Sequence, residues 1–186
     1  ITCRDWSSDV CSSDLIVSLA IDITQRVEEE QLLKLKAHYD ALTNLPNRHF
    51  FENILEKIHS LAQRNKTIFG IAFIDLDGFK SINDTYGHHA GDILLKTLAE
   101  RFKSTIRQED TIARLGGDEF AMIFHMAAEQ EPYQHIIERI LKSASQPVKY
   151  AEDTTLVVSA SIGISFYRID NRSEERRVGK ECRSRW

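Results

Sequence analysis

Two short acidic runs stand out among the 186 residues. Asp75-Leu-Asp77-Gly-Phe-Lys80 places two carboxylates two positions apart, and Asp118-Glu119 follows the pair Gly116-Gly117. Residues two apart on a strand point to one face, so Asp75 and Asp77 would share a rim if they end a strand. Carboxylates crowded in that way repel each other unless a cation sits between them. Oxygen ligands without cysteine suit Mg²⁺, which is typically shared with substrate phosphates. Gly78 permits close backbone approach, and Lys80 supplies a point charge suited to phosphate. Taken singly, either run is as readily an acidic turn that only solvates a loop.

The elements that must position these groups are legible from periodicity. Residues 68–76 carry Phe69, Ile71, Phe73 and Ile74 in a nearly continuous apolar run, which predicts a buried strand ending at the first acidic run. Residues 111–115 and 120–124 predict two short strands around Gly116-Gly-Asp-Glu119, a hairpin whose tip could reach the same rim. Leu42-Thr-Asn-Leu-Pro-Asn47 is turn chemistry, followed by a helix with apolar positions at Phe50, Phe51, Ile54, Leu55, Ile58 and Leu61. Further helices are expected over 90–106, with Ile93, Leu94, Leu98 and Phe102 on one face, and over 131–144. A last strand is expected over 156–166, rich in Val, Ile and Ser. Helices alternating with strands and hairpins predict an α/β sandwich with helices over a mostly antiparallel sheet.

Composition narrows the function classes. The chain is 42% apolar and 28% charged with a net charge of −4, enough for one core and too acidic for a basic nucleic-acid binder. The longest apolar run, residues 15–21, is far shorter than the roughly 20 residues of a membrane span. All three cysteines (Cys3, Cys11, Cys182) and both tryptophans (Trp6, Trp186) fall within residues 1–15 or 172–186. Those two stretches lack helical or strand periodicity and resemble translated sequencing adapter. They are set aside from fold reasoning and expected to pack against nothing. Without them the cysteine count says nothing of redox compartment. The histidines His38, His49, His59, His125 and His135 show no metal-ligand spacing.

Four runs together carry a resemblance. Asp40-Ala-Leu-Thr-Asn-Leu-Pro-Asn-Arg48, the run from Asp75 to Lys80, Asn83-Asp-Thr-Tyr-Gly-His88-His-Ala-Gly-Asp92, and Gly116-Gly-Asp-Glu-Phe120 resemble the GGDEF family of diguanylate cyclases in order and spacing. The resemblance covers residues 40–166. It implies a palm-like α/β sandwich related to class III nucleotide cyclases, and a reaction that joins two GTP into cyclic di-GMP with release of pyrophosphate. It further implies that Asp75, the Leu76 carbonyl and Asp118 hold Mg²⁺, with Mn²⁺ as a substitute. The amides of Gly78 and Phe79 would meet phosphate, and Lys80 would stabilise charge in the transition state. Asp118 or Glu119 would take the 3′ proton. Asn83, His88 and Asp92 match substrate-binding positions, and Arg107-Gln-Glu-Asp110 matches a product-binding inhibitory site.

The same resemblance implies catalysis by a homodimer, a cytoplasmic location, and no nucleic-acid partner. Residues 16–39 resemble the end of a PAS sensor with its exit helix around Leu32 and Leu35. Residues 40–171 would form the GGDEF domain, without the family's last helix and strand, so the chain as written is expected to be weakly active or inactive. A catalytically silent domain that receives GTP or cyclic di-GMP is the alternative function. Silent members usually lose Asp75 or the Asp118-Glu119 pair, and both are present here.

Overall fold

The computed structural model of the chain describes Val27 and residues 37–126, 133–167 and 174–178, the last as backbone only. The chain divides into two compact units, Ile1–Ala37 and His38–Trp186, and the second contains the folded elements described below. The expected sensor remnant and its exit helix lie outside the described residues, apart from helical Val27 and Ala37.

Helix α1 (Arg48–Asn65) starts where Asn47 caps it, its side chain accepting from the Phe50 amide. It stops at Lys66, which turns left-handed with φ 55° and donates its amide to the Ala62 carbonyl. Strand β1 (Ile68–Asp77) follows, then α2 (Phe79–Tyr86) and α3 (His88–Thr105), separated by Gly87 at φ 81°. Strands β2 (Thr111–Gly116) and β3 (Glu119–Met126) form the hairpin. Helix α4 (Tyr133–Ala144), the small ladder β4 (Val148–Lys149) with β5 (Thr155–Leu156), and β6 (Ser159–Tyr167) follow.

Among the described residues the main sheet has the order β2-β3-β1-β6-β7, and each of its pairings is antiparallel. Alternation along the strands gives two faces. Ala72, Ile74 and Leu76 of β1, with Phe120, Met122 and Phe124 of β3, pack against Leu94, Leu98 and Phe102 of α3 and Ile140 of α4. The opposite face buries Phe69, Ala121 and Ile123 under Phe51 and Ala62 of α1. Helix α1 covers only part of that face: Phe73, in the middle of the central strand, remains 53% exposed.

Three expectations need correction. The segment after Gly78 forms a helix, α2, that sequence reading passed over. Its signal was Phe79 and Ile82 one turn apart, both buried. The single strand over 156–166 is broken, because Thr155–Leu156 turns back to pair with Val148–Lys149 before β6 begins. Residues 174–178, set aside as packing against nothing, form β7 (Glu174–Val178) on the free edge of β6, from Phe166↔Glu174 to Ile162↔Val178. Side-chain periodicity did not foretell this, since ladder pairing joins backbone groups whatever the side chains. An open strand edge is a template for any extended segment.

The close fit of the core gives a first prediction. A β-carbon at Gly70 would lie 2.2 Å from the Phe124 ring, which crosses it from the paired position on β3. Gly70→Ala should lower unfolding stability by about 1–3 kcal/mol through overpacking. Urea denaturation checks this, and an unchanged midpoint would contradict the packing.

Candidate active site

The acidic runs meet at one end of the sheet. Asp75 is paired across the ladder with Glu119 on β3 and with Ser161 on β6, and Asp77 with Ser159. All lie on the face that α1 partly covers. Burial pushes the Asp75 carboxyl above its usual range, and the charges of Asp118, Asp77 and Glu119 push it further in the same direction. The sheet register therefore brings Asp75, Asp77 and Glu119 to one rim, with the charge of Asp118 close enough to act on Asp75.

They are not equivalent. Both oxygens of Asp77 are occupied, accepting from the hydroxyls of Ser159 at 2.8 Å and Ser161 at 2.9 Å. Asp77 thereby ties the end of β1 to the start of β6. Among the described residues no three His, Cys, Asp or Glu side chains converge as a metal cage. The carboxylate charge gathered around Asp75, only partly offset by Arg48 on Glu119, would suit a divalent cation.

Next to this rim the backbone turns sharply at Gly78, with φ 84°, and α2 begins with no side chain capping its first amides. An uncapped helix start with Lys80 in its first turn favours an anion. Asn83 stands on α2, while His88 and Asp92 lie one turn apart at the start of α3. His88 and Asp92 are exposed and Asn83 is half-buried.

The hairpin tip is braced by residues to which sequence reading gave no role. Arg114 donates from Nε and Nη2 to the Gly117 carbonyl at 3.0 and 2.8 Å, and from Nη1 to Asp40 at 2.9 Å. Asp40 in turn accepts from the Thr43 amide and hydroxyl, so residues 40–47 form a closed turn. That turn docks on β2 through the Arg114 amide and the Pro46 carbonyl. Burial alone would push the Asp40 carboxyl up, but the bonds from Thr43 and Arg114 outweigh it and hold Asp40 below its usual range. Arg48, at the start of α1, reaches Glu119 at 3.3 Å. Asp40 and Arg48 were visible as parts of a motif, but their partners lie more than 70 positions away and no local pattern shows them.

Arg107 and Asp110 lie at the opposite end of β2, about 20 Å from the glycine pair by strand rise. The two form a turn in which the Asp110 amide donates to the Arg107 carbonyl. The Asp110 side chain is only 1% exposed and accepts from the amides of Arg107 and His125. Burial raises its pKa more than those two amides lower it. Asp110 thus shapes the turn.

An antiparallel sheet flanked by helices is the fold this chain shares with solved GGDEF domains. The chain belongs to that family: the family described as "Diguanylate cyclase, GGDEF domain" matches residues 37–181. It is 43% identical over 143 residues to the bifunctional diguanylate cyclase/cyclic di-GMP phosphodiesterase MucR of Pseudomonas aeruginosa, covering 77% of this chain and 20% of that protein. It is 39% identical over 140 residues to the diguanylate cyclase TpbB of the same species, covering 75% of this chain and 32% of that one. The chain thus spans a fifth to a third of the length of these curated relatives. Among solved structures, the coiled coil and GGDEF domain of DgcB from Caulobacter crescentus, in complex with c-di-GMP, superposes with a TM-score of 0.74 at 27% identity. That match covers 87% of this chain and 86% of the other. The GGDEF domain of TpbB gives 0.66 at 40% identity, covering 70% and 76%.

The brace predicts a defined pH response. Asp40 has a depressed pKa, so its stabilisation is fully present above 3.8 and is lost as pH falls through the lower folded value. Asp40→Asn should cost about 1–3 kcal/mol at neutral pH, the scale of charge-assisted hydrogen bonds. The gap to the unsubstituted chain should close as pH drops below 3.8. Urea midpoints of both proteins between pH 3 and 7 check this; a gap constant across that range would contradict it.

Proposed function

We propose that this chain carries the catalytic domain of a diguanylate cyclase, which condenses two GTP into cyclic di-GMP in second-messenger signalling. The observation that carries the reading is the set of carboxylates at the rim, Asp75 with Asp118 and Glu119, next to an uncapped helix start holding Lys80. Asp75, the Leu76 carbonyl and Asp118 are the groups to hold Mg²⁺ or Mn²⁺. When bound, such an ion supplies positive charge to the phosphates.

The protein's own groups do the remainder. The amides of Gly78 and Phe79 receive phosphate oxygens, and Lys80 offsets charge that builds in the transition state. Asn83, His88 and Asp92 hold the nucleotide, with the Asp92 carboxylate accepting from guanine N1–H and its exocyclic amine. Asp118 or Glu119 accepts the proton of a 3′-hydroxyl as its oxygen bonds to the α-phosphorus of a second GTP. The bond from that phosphorus to pyrophosphate breaks, and pyrophosphate leaves. The position of Glu119, paired with Arg48 and across the ladder from Asp75, supports its reading as a proton acceptor.

Each chain presents one nucleotide, so closing a two-fold product takes two chains with their sites facing each other. Positioning of the two substrates then supplies much of the rate. Support also comes from relatives named diguanylate cyclase and from a structural neighbour solved with c-di-GMP. Among the described residues no helix is long and apolar enough to cross a membrane.

Incubation with GTP and Mg²⁺, followed by chromatography of the nucleotides, tests the reading. Cyclic di-GMP should accumulate, at the low rate expected of the chain as written, with rate per chain rising as protein concentration rises. Asp75→Asn should cut turnover at least about 10³-fold with the circular dichroism spectrum unchanged, as loss of a group acting on the reacting phosphate does. Turnover retained by Asp75→Asn, or a rate independent of concentration in a proven monomer, would contradict it.

Product should inhibit through the turn at Arg107 and Asp110. Arg107→Ala is expected to relieve inhibition by added cyclic di-GMP without lowering the initial rate. Equal inhibition of both proteins would mean that the turn is only structural.

A further inference from the structure

Gly91 lies at the end of the first turn of α3, buried and next to Asp92 in sequence. Its backbone is ordinary helix, so nothing in its conformation calls for glycine, and glycine inside a helix is disfavoured against alanine. Space calls for it. A β-carbon at Gly91 would lie 2.0 Å from Oδ1 of Asn83, 3.0 Å from its Cγ and 3.1 Å from the ring tip of Phe79. Oδ1 of Asn83 is itself buried and accepts no hydrogen bond. The amide is therefore pressed against bare backbone at a cost in polar satisfaction that no structural gain on view offsets.

We propose that Gly91 is a specificity-positioning residue: its missing side chain is the seat that holds the Asn83 amide beside Asp92 to read a guanine base. This rests on the reading of Asn83 and Asp92 as contacts to GTP. The seat spans two helices, because Asn83 and Phe79 come from α2 and Gly91 and Asp92 from α3. Phe79 directly follows Gly78, so the same contact fixes the phosphate-binding turn relative to the base-binding pair. A side chain at position 91 would push α2 outward or rotate the Asn83 amide. Either change would separate the two groups that must meet one base edge.

The test is a double-variant cycle in the full chain: Gly91→Ala, Asn83→Ala and both together, with equilibrium binding of GTP and of ATP and thermal melting. Gly91→Ala should weaken GTP binding by about tenfold, the scale of one lost hydrogen bond. ATP binding should stay where it was. In the double variant, GTP affinity should equal that of Asn83→Ala alone, and melting lost in Gly91→Ala should be recovered because the new methyl then has room. If Gly91→Ala fails to fold, recovery of folding in the double variant supports the seat, and continued failure overturns it. Additive losses, or GTP binding by Gly91→Ala at the original affinity, would overturn it too. Unchanged GTP binding by both Asn83→Ala and Asp92→Ala would sink the guanine reading and this inference with it. A melting cycle without coupling would sink the seat alone.

Discussion

Four carboxylates gather at one end of the sheet, and the burial and repulsion that Asp75 meets there are the constraint that the surrounding structure answers. Asp75 stands among Asp77, Asp118 and Glu119, each raising the free energy of its ionised form. Nothing in the packing of the core requires this. The core lies on the faces of the sheet. Such a cluster is expected where a site is built for a cation and phosphates that arrive later.

The frame holds the cluster in place by three separate means. Asp77 is satisfied by two serine hydroxyls, so its charge serves to join β1 and β6 rather than to bind. The hairpin tip is prevented from swinging away by Arg114, which grips the Gly117 carbonyl and leans on Asp40 in the turn before α1. Arg48 offers Glu119 a partial counter-charge at the rim, exposed enough that it contributes little to stability. Behind these contacts, the buried face under α3 and α4 supplies the stability that lets the rim stay unfavourable. The second end of β2 carries a different turn, where Asp110 is spent on backbone amides and Arg107 carries the charge.

Much of this was legible in the sequence because it is local. Apolar periodicity located α1, β1, α3 and the β2–β3 hairpin, and the two-residue spacing put Asp75 and Asp77 on one face. What escaped has a physical cause in each case. Helix α2 is only eight residues long, too short for a full apolar stripe to register. The strand over 156–166 read as continuous because its composition does not change where β5 turns away. The pairing of Glu174–Val178 with β6 depends on backbone groups, to which side-chain patterns are blind. Arg114–Asp40, Arg48–Glu119 and Asp77 with its serines join residues more than 70 positions apart, and a single sequence records no such distances. The spacing of Asp75 and Asp77 suggested one shared cation, whereas Asp77 is bonded to the hydroxyls of Ser159 and Ser161.

The most direct test of this account is the titration of the Asp75 carboxyl, followed by carbon-13 NMR with and without Mg²⁺ and a non-hydrolysable GTP analogue. Without them it should titrate above the ordinary carboxylate value of 3.8, and with both present its midpoint should fall as cationic charge is supplied. An Asp75 that titrates at or below 3.8 in the free protein, and does not respond to metal and nucleotide, would contradict the claim that repulsion at this rim is built to receive them.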